Sequence, residues 1–425
     1  MSLLFLTSLT GQSVNGRYIL KKPLGYGGSS IVFLADIISP TQNFDSVAIK
    51  LIEVDNNEKE KQIQELKIAL SLKHKNLIDC YDFFDCNIEG KAVFGLVMEL
   101  ADGSLEDYLE QFKNLSLNAK DRDMIIKSIL DALHYIHSRG IVHSDLKPGN
   151  ILRVGDVWKL ADFGIARILN AKTSTRTANI NGTFLFIPPE AIEGIISPAW
   201  DIWSLGILLS RLFTDEHPFC AHNEMQFFEK IQKHDPILPQ NTNIIYSFMI
   251  KGCLHKSREK RWGIDKLYEY FSVIQDENNK SENLDKFIQK RLVEIEDLKQ
   301  HDDYHLIIEI CDLIIYLSPG CIDAWADKAD AYSCLGQTKE SMETYRNALQ
   351  SFAELSNKGE LFSVFQVLQS VDNFKVNEEA EAIETSLPQT ILGNRRSLQS
   401  IAKIVGKKSK SFRQFIRRRK SLDGN

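Results

Sequence analysis

The sequence predicts an α+β fold with a small strand-rich lobe, a larger helical lobe and an all-helical extension after them. Two patterns carry this prediction. Between residues 17 and 51, short apolar runs rich in β-branched residues flank a glycine-rich turn, which is typical of strands. Beyond residue 119, apolar residues recur at helical spacing, as in residues 124–136 and 201–212. A chain of 425 residues is long enough for two or three domains.

A change to polar composition marks the first domain boundary, where the chain reads QDENNKSENLD at residues 275–285. We therefore predict a first domain over 14–273, a linker over 274–285, a helical extension over 286–390 and a basic tail over 391–425.

The overall composition is that of an ordinary globular chain, with 43% hydrophobic and 25% charged residues. This excludes a collagen-like or wholly disordered protein. The net charge of −6 conceals an asymmetry: residues 394–425 contain 11 basic residues and one acidic residue, and the rest contains 40 basic and 56 acidic residues. An acidic body therefore precedes a strongly basic tail.

The seven cysteines are odd in number and lack a CxxC pair, so the sequence suggests neither a disulfide framework nor a zinc ribbon. No stretch approaches the roughly 18 uninterrupted apolar residues of a membrane span. We expect a cytoplasmic, soluble protein.

The first candidate functional element is the turn from Gly25 to Val32, which lies between two predicted strands. Glycines in such a turn let backbone amides approach a polyphosphate, although a plain hairpin would show the same pattern. Lys50 ends the following strand, where its ammonium could meet phosphate oxygens. Glu65 lies fifteen residues later in a predicted helix, from which it could pair with Lys50.

The second candidate element is the segment His143–Asn150, which contains Asp145, Lys147 and Asn150, and Asp162 follows Asp145 by seventeen residues. Carboxylate and amide oxygens are ligands that magnesium prefers. In their order and separations, this segment, the glycine-rich turn, Val47–Lys50 and Asp162–Gly164 resemble the conserved motifs of eukaryotic-like (Hanks-type) serine/threonine protein kinases. The resemblance covers about residues 14–273 and implies a bilobal protein-kinase fold that uses ATP and Mg²⁺.

The resemblance also implies a role for each matching residue. Asp145 would accept the proton of the substrate hydroxyl, and Lys147 would stabilise the transferring phosphoryl group. Asp162 and Asn150 would bind the magnesium ions. The residues implied for ATP binding are Leu24, Gly25, Gly27, Gly28, Val32, Ala48, Lys50, Glu65, Met98, Glu99, Ala101 and Leu152. Lys147 favours serine or threonine over tyrosine as the acceptor.

Other positions match the structural elements of the same family. Glu190 and Arg261 resemble the ion pair that braces the large lobe. Thr183 resembles a residue that contacts Asp145 and Lys147 near the substrate hydroxyl.

The chain departs from the family pattern at Ser144, where many members carry an arginine that receives a phosphorylated activation-loop residue. We therefore predict that activity does not require phosphorylation of that loop. The third glycine of the glycine-rich loop is replaced by Ser30, a tolerated variant. The alternative function is a pseudokinase-like adaptor or scaffold that acts through its helical extension and basic tail.

The extension contains a segment, Asp323–Gly336 with Tyr345 and Ala348, that resembles one tetratricopeptide repeat. A degenerate repeat ending near Pro319 precedes it. Two interpretations of this extension are open: it is a protein-docking module, or it is a plain helical hairpin packed on the first domain.

The tail places apolar residues at helical spacings among lysines and arginines, which predicts a basic amphipathic helix. Its partner could be an acidic protein surface, including the acidic body of this chain, an anionic membrane or a nucleic acid. A solvated tail without a dedicated partner is the remaining alternative.

Overall fold

A computed structural model describes residues 9–26, 30–39, 45–111, 117–162, 167–168, 183–214, 216–240, 242–275 and 282–355. The chain divides into two compact units, Met1–Ile274 and Gln275–Asn425. Among the described residues, no helix is long and apolar enough to cross a membrane.

The first unit begins with a six-stranded antiparallel sheet in the order β1-β2-β3-β4-β6-β5. Its strands are β1 (Ser13–Val14), β2 (Tyr18–Tyr26), β3 (Ser30–Ile37), β4 (Ser46–Glu53), β5 (Cys80–Ile88) and β6 (Lys91–Met98). Helix α1 (Lys59–Ser71) connects β4 to β5. The predicted strands of the small lobe are therefore present.

The two faces of this sheet have different functions, because side chains alternate between faces along a strand. One face carries an apolar cluster that includes Phe33, Ile49 and Leu51, all buried. The opposite face carries the alternate residues, among them Val32 and Lys50, which are directly paired across β3 and β4. This second face therefore holds two of the predicted nucleotide-binding residues, Val32 and Lys50.

The rest of the first unit is mainly helical. Its helices are α2 (Leu105–Gln111), α3 (Ala119–His137), α4 (Pro198–Arg211), α5 (Glu224–Lys233), α6 (Ile244–Cys253) and α7 (Ile264–Gln275). Its short strands are β7 (Gly103–Ser104), β8 (Ile141–Val142), β9 (Ile151–Val154), β10 (Val157–Leu160) and β11 (Arg167–Ile168). They form a three-stranded sheet, β10-β9-β7, and a two-stranded sheet, β11-β8.

Helix α4 lies at the centre of this helical part, since its residues 201–210 are all buried. Gly206 permits its close packing on α6: a Cβ at this position would lie 2.6 Å from the Cβ of Cys253. A larger residue would push the two helices apart. The helix therefore provides a rigid base for the segment that contains Asp145.

The second unit consists, in its described part, of helices α8 (Glu282–Gln300), α9 (Tyr304–Leu317), α10 (Ile322–Cys334) and α11 (Thr338–Leu355). Helix α8 begins inside the range 274–285 predicted as a linker. Glu282 and Asp285 lie in its first turn, where carboxylates interact favourably with the helix dipole, so polar composition there is compatible with a helix. The predicted tail and the end of the predicted extension lie outside the described residues.

Candidate active site

The segment between β8 and β9 contains Asp145, Lys147 and Asn150 within hydrogen-bonding distance of one another. The Oδ2 atom of Asp145 accepts from Lys147 Nζ at 2.8 Å and from Asn150 Nδ2 at 2.9 Å. The other carboxylate oxygen, Oδ1, is buried and has no hydrogen-bond partner among the described residues. A buried acceptor without a donor is costly in a folded protein, and such atoms are found at functional sites. Oδ1 is therefore the oxygen of this carboxylate that retains unused capacity to accept a hydrogen bond.

A second carboxylate, Asp201 of α4, holds the backbone of this segment in place. Its Oδ2 accepts from the backbone N–H of His143 at 2.8 Å, and its Oδ1 accepts from that of Ser144 at 2.7 Å. His137 Nε2 lies 2.8 Å from the same carboxylate. Ser144 has a φ of +65°, which is strained for a residue other than glycine. The two hydrogen bonds that Asp201 accepts from the backbone offset that strain.

The candidate metal ligand Asp162 is positioned by the same segment. The backbone N–H of Ala161 donates to the carbonyl oxygen of Asn150 at 2.8 Å, and His143 Nε2 lies 2.9 Å from the carbonyl oxygen of Ala161. These contacts bring Asp162 beside Asn150. Asp162 has a φ of +67° and a partly exposed side chain that forms an ion pair with Lys50. Phe163 and Gly164 lie outside the described residues.

Lys50 lies on β4, where its side chain is largely buried on the face of the sheet opposite the apolar cluster. It is directly paired with Val32 of β3 and Leu96 of β6. Glu65 lies on α1 in a half-buried position. The ion pair of Lys50 with Asp162 places an ammonium and a carboxylate next to each other, where phosphates and a metal ion would need them.

The predicted adenine-binding residues gather at the end of β6. Met98 is buried and is directly paired with Ala48 on one side and Cys80 on the other. Burial raises the pKa of the Cys80 thiol to about 11, so the thiol of this neighbour of Met98 is uncharged at neutral pH. The remaining members of the set are less buried. Val32, Ala101 and Leu152 are half-buried and Leu24 is exposed, whereas Gly25 is paired with Val32 and both Gly27 and Gly28 lie outside the described residues.

The side chain of Glu99 is held by a lysine that the sequence did not identify. Lys159 of β10 donates to both carboxylate oxygens of Glu99, at 2.9 and 2.7 Å, and its side chain is 11% exposed. The backbone N–H of Glu99 donates to the carbonyl oxygen of Asp79 at 2.9 Å. The Lys159 bonds connect the predicted adenine-binding segment to the strand that leads to Asp162, and the backbone bond connects it to the residue before β5. No spacing or motif in the sequence indicated this pair, whose members are 60 residues apart.

The predicted ion pair between Glu190 and Arg261 forms in the helical part. Arg261 Nη1 lies 2.6 Å from Glu190 Oε1, and Nη2 lies 2.9 Å from Oε2. The Arg261 side chain is fully buried, and its guanidinium lies 5.0 Å from the centroid of the Trp203 ring. This pair connects the end of the segment after β11 to the region before α7. The side chain of Thr183 lies outside the described part.

The oxygen atoms in this site fit magnesium. Asp162 supplies a carboxylate. Asn150 uses Nδ2 to donate to Asp145, which leaves its amide oxygen as the ligand atom. Magnesium is usually held by one or two carboxylates together with substrate phosphates rather than by a complete protein cage. Among the described residues, no cluster of three or more histidine, cysteine or acidic side chains could hold a metal alone, which is compatible with this mode.

Comparison with known proteins identifies a match to the protein kinase domain family over residues 18–271, more than half of the chain. Serine/threonine-protein kinase PrkC of Bacillus subtilis is 33% identical over 266 residues, which cover 58% of this chain and 39% of PrkC. Serine/threonine-protein kinase PkaA of Streptomyces coelicolor is 30% identical over 281 residues, covering 62% of this chain and 51% of PkaA. Serine/threonine-protein kinase TIO of Arabidopsis thaliana is 34% identical over 218 residues, which cover 50% of this chain and 16% of TIO. The chain thus spans about half or less of the length of these relatives.

Proposed function

Because the chain belongs to the protein kinase domain family, we propose that it is an ATP-dependent serine/threonine protein kinase. The observation that best supports this proposal is the geometry at Asp145. One carboxylate oxygen of this residue is held by Lys147 and Asn150, while the other is buried and has no donor in the described part of the chain. A general base for a substrate hydroxyl requires an oriented carboxylate with one open acceptor.

The remaining side chains would position ATP. Lys50 would donate to the α- and β-phosphates, and Glu65 on α1 would orient Lys50. Asp162 and Asn150 would hold Mg²⁺, which neutralises the charge that develops on the phosphates when it is bound. Met98 and the backbone of Glu99 and Ala101 would contact adenine. The half-buried Val32 and Leu152, with Ala48, would form its apolar walls.

Lys147 would have two functions in the transfer step. Its ammonium donates a hydrogen bond to Asp145 Oδ2 at 2.8 Å, so it holds this carboxylate in one orientation. The same ammonium would stabilise the negative charge of the transferring phosphoryl group. The acceptor would be a serine or threonine hydroxyl, as in the relatives.

A phosphoryl-transfer assay with labelled ATP, Mg²⁺ and a general protein substrate tests this proposal. Asp145→Asn should lower the rate by at least about 100-fold, because the amide cannot accept the proton. The matched control is Asp156→Asn, which makes the same change on a fully exposed side chain and should leave the rate unchanged. Equal label transfer by wild type and Asp145→Asn would refute the enzyme assignment and favour the adaptor alternative.

The helical extension provides an observation that favours a partner-docking function as well. Helices α9 and α11 begin 34 residues apart, at Tyr304 and Thr338, and 34 residues is the length of a tetratricopeptide repeat. The small residues expected at the repeat interface are buried: Ala348 is fully buried, and Ser341 Oγ donates to the carbonyl oxygen of Ala329 at 2.8 Å. We infer a protein-docking module.

Proximity labelling in cells tests the docking function. Ala348→Arg should disrupt the packing of α11, so that proteins labelled near the wild-type protein are no longer labelled, while kinase activity on a short peptide persists. Glu340→Arg, in an exposed position of the same helix, is the control. An identical set of neighbours for wild type and Ala348→Arg would contradict it.

We further propose that the basic tail contacts an acidic protein surface, because the body of the chain carries the opposite charge. Truncation after Gly393 should then change kinase activity at low salt and not at high salt. Identical rates at both salt concentrations would count against contact with the body.

A cytoplasmic location is also proposed. All seven cysteines are free thiols, as expected in a reducing compartment.

A further inference from the structure

A polar cavity of about 480 Å³ shares no residue with the candidate active site. We call it the α3–α7 cavity. Its lining residues are His74 and Lys75 before β5, Lys127, Asp131, His134 and Tyr135 on α3, Ser138 and Arg139 just after α3, and Tyr268 on α7. This volume is within the range of small-molecule binding sites.

Among the described lining residues, Asp131 is the only carboxylate, and three donors already form hydrogen bonds with it. Asp131 accepts from Lys75 Nζ at 3.2 Å, from Lys127 Nζ at 3.2 Å and from the hydroxyl of Tyr268. Burial works to raise the pKa of Asp131, but the hydrogen bonds from Tyr268, Lys127 and Lys75 outweigh it and hold that pKa below its usual value. Asp131 therefore contributes one negative charge at neutral pH.

The positive charges exceed this negative charge. Lys75, Lys127 and Arg139 contribute three positive charges, which leaves a surplus of two over Asp131. Another acidic residue, Asp265, lies 3.4 Å from His134 Nδ1. Its side chain is 89% exposed, against 68% for Lys75 and 49% for Lys127, so solvent screens its charge more than theirs. A structural ion cluster would need no such surplus. A phosphomonoester at pH 7 carries a charge of about −1.5 to −2, which would balance the surplus of positive charge in the cavity.

The aromatic rings in the cavity include His74, which adds a hydrogen-bond donor and whose pKa would respond to a bound anion. His74 stacks on Tyr135 with ring centroids 4.8 Å apart, and its Nδ1 accepts from the backbone N–H of Asn76 at 3.2 Å. The neutral ring therefore carries its proton on Nε2 as a donor. Burial, aided by Lys75 and Arg139 and opposed by Asp131, lowers the pKa of His74. An anion bound nearby would raise it again.

From this surplus charge and these donors, we propose that the α3–α7 cavity binds a phosphate dianion, either free phosphate or a phosphorylated side chain of a protein. The arginine and the two lysines bind the phosphate oxygens, with His74 as an additional donor. The site is independent of the kinase reaction, since neither ATP nor the hydroxyl substrate occupies it.

Proton NMR of the histidine C2–H signals in the full-length protein tests the proposal. The signal of His74, assigned by its loss in His74→Gln, is followed during titration with inorganic phosphate and, separately, with the pentapeptide Gly-Gly-phosphoserine-Gly-Gly. Wild type should show a saturable shift of this signal and a raised pKa of His74 at saturation. Lys75→Gln combined with Arg139→Gln should weaken phosphate binding at least about tenfold, because two charge-assisted hydrogen bonds are lost.

The matched control is Lys233→Gln combined with Lys286→Gln, which removes the same charge from two exposed pairs within helices and should leave the affinity unchanged. If the variant with both Lys75→Gln and Arg139→Gln does not fold, Lys75→Gln alone replaces it. The Lys75 side chain is 68% exposed, so its replacement should not disturb folding. Tighter binding of the phosphoserine peptide than of phosphate identifies a phosphorylated protein segment as the ligand, and equal binding identifies free phosphate. The absence of a saturable shift in wild type, or equal weakening by the cavity and control variants, overturns the proposal.

Discussion

Replacement of Arg261 by methionine should strongly destabilise the first unit, because it leaves the buried carboxylate of Glu190 without its partner. The guanidinium makes two short contacts with that carboxylate, at 2.6 and 2.9 Å, and the two side chains are 0% and 8% exposed. Arg261 also donates to the carbonyl oxygens of Ala199, at 2.7 Å, and His255, at 3.1 Å. Methionine fills a similar volume, so the lost interactions are mainly polar.

The size of the effect follows from the burial. Removing one partner of a buried ion pair costs about 3–5 kcal/mol. For a domain of this size, each kcal/mol lowers the unfolding midpoint by roughly 2–4 °C, so a decrease of at least about 6 °C is expected. Circular dichroism during heating at pH 7 measures it. Arg258→Met, which breaks an exposed pair with Glu259, is the control and should change the midpoint by no more than about 1 °C.

A second variant separates the buried charge from other causes. Glu190→Met combined with Arg261→Met leaves no unpaired charge and should be less destabilised than Arg261→Met alone. The reasoning is refuted if Arg261→Met unfolds at the wild-type midpoint. It is also refuted if the double variant loses as much as both single variants together.

Three further predictions concern other parts of the chain. Gly95→Ala should destabilise by about 1–3 kcal/mol, because its Cβ would lie 2.3 Å from the ring of Phe84, and Phe84→Leu should restore part of the loss in a urea unfolding series; no rescue would contradict this. Burial lowers the pKa of Lys256 to about 8, and its ammonium has no hydrogen-bond partner among the described residues. The folded state therefore binds fewer protons than the unfolded state between pH 8 and the ordinary lysine pKa of 10.5, so stability rises with pH across that window. Lys256→Met should be more stable than wild type at pH 7, and the difference in unfolding midpoint should shrink as the pH approaches 10; a constant difference would refute the linkage. Finally, because residue 144 is serine, kinase turnover should survive simultaneous replacement by alanine of four hydroxyl residues that lie outside the described part: Thr173, Ser174, Thr175 and Thr177. A collapse of the rate would show that loop phosphorylation is required.

Much of the fold could be predicted from the sequence because the relevant signals are local. The short apolar run at residues 47–51, rich in β-branched residues, predicts a strand, and the structure has β4 there. Helical spacing in residues 124–136 and 201–212 predicts the two helices observed there as α3 and α4. The predicted linker range 274–285 overlaps the first turn of α8, because a polar stretch at the start of a helix has the same composition as a loop.

The supports of the site could not be predicted in this way. Asp201 holds the backbone of His143 and Ser144 from a position more than 50 residues away. Lys159 holds Glu99 across a comparable separation. Such contacts depend on how the helices and strands pack, and a single sequence contains no periodic pattern that indicates them.

The sequence by itself determined the chemistry of this protein: a lysine, two aspartates, an asparagine and a second lysine at separations typical of phosphoryl transfer. Only the tertiary structure decided how those groups are arranged. It orients Asp145 so that one oxygen accepts two hydrogen bonds while the other has no donor in the described part of the chain, and it places three cations and one carboxylate along the described lining of the α3–α7 cavity. The physical reason is that residue type sets charge and hydrogen-bonding capacity, whereas burial and orientation arise from contacts between segments distant in the chain.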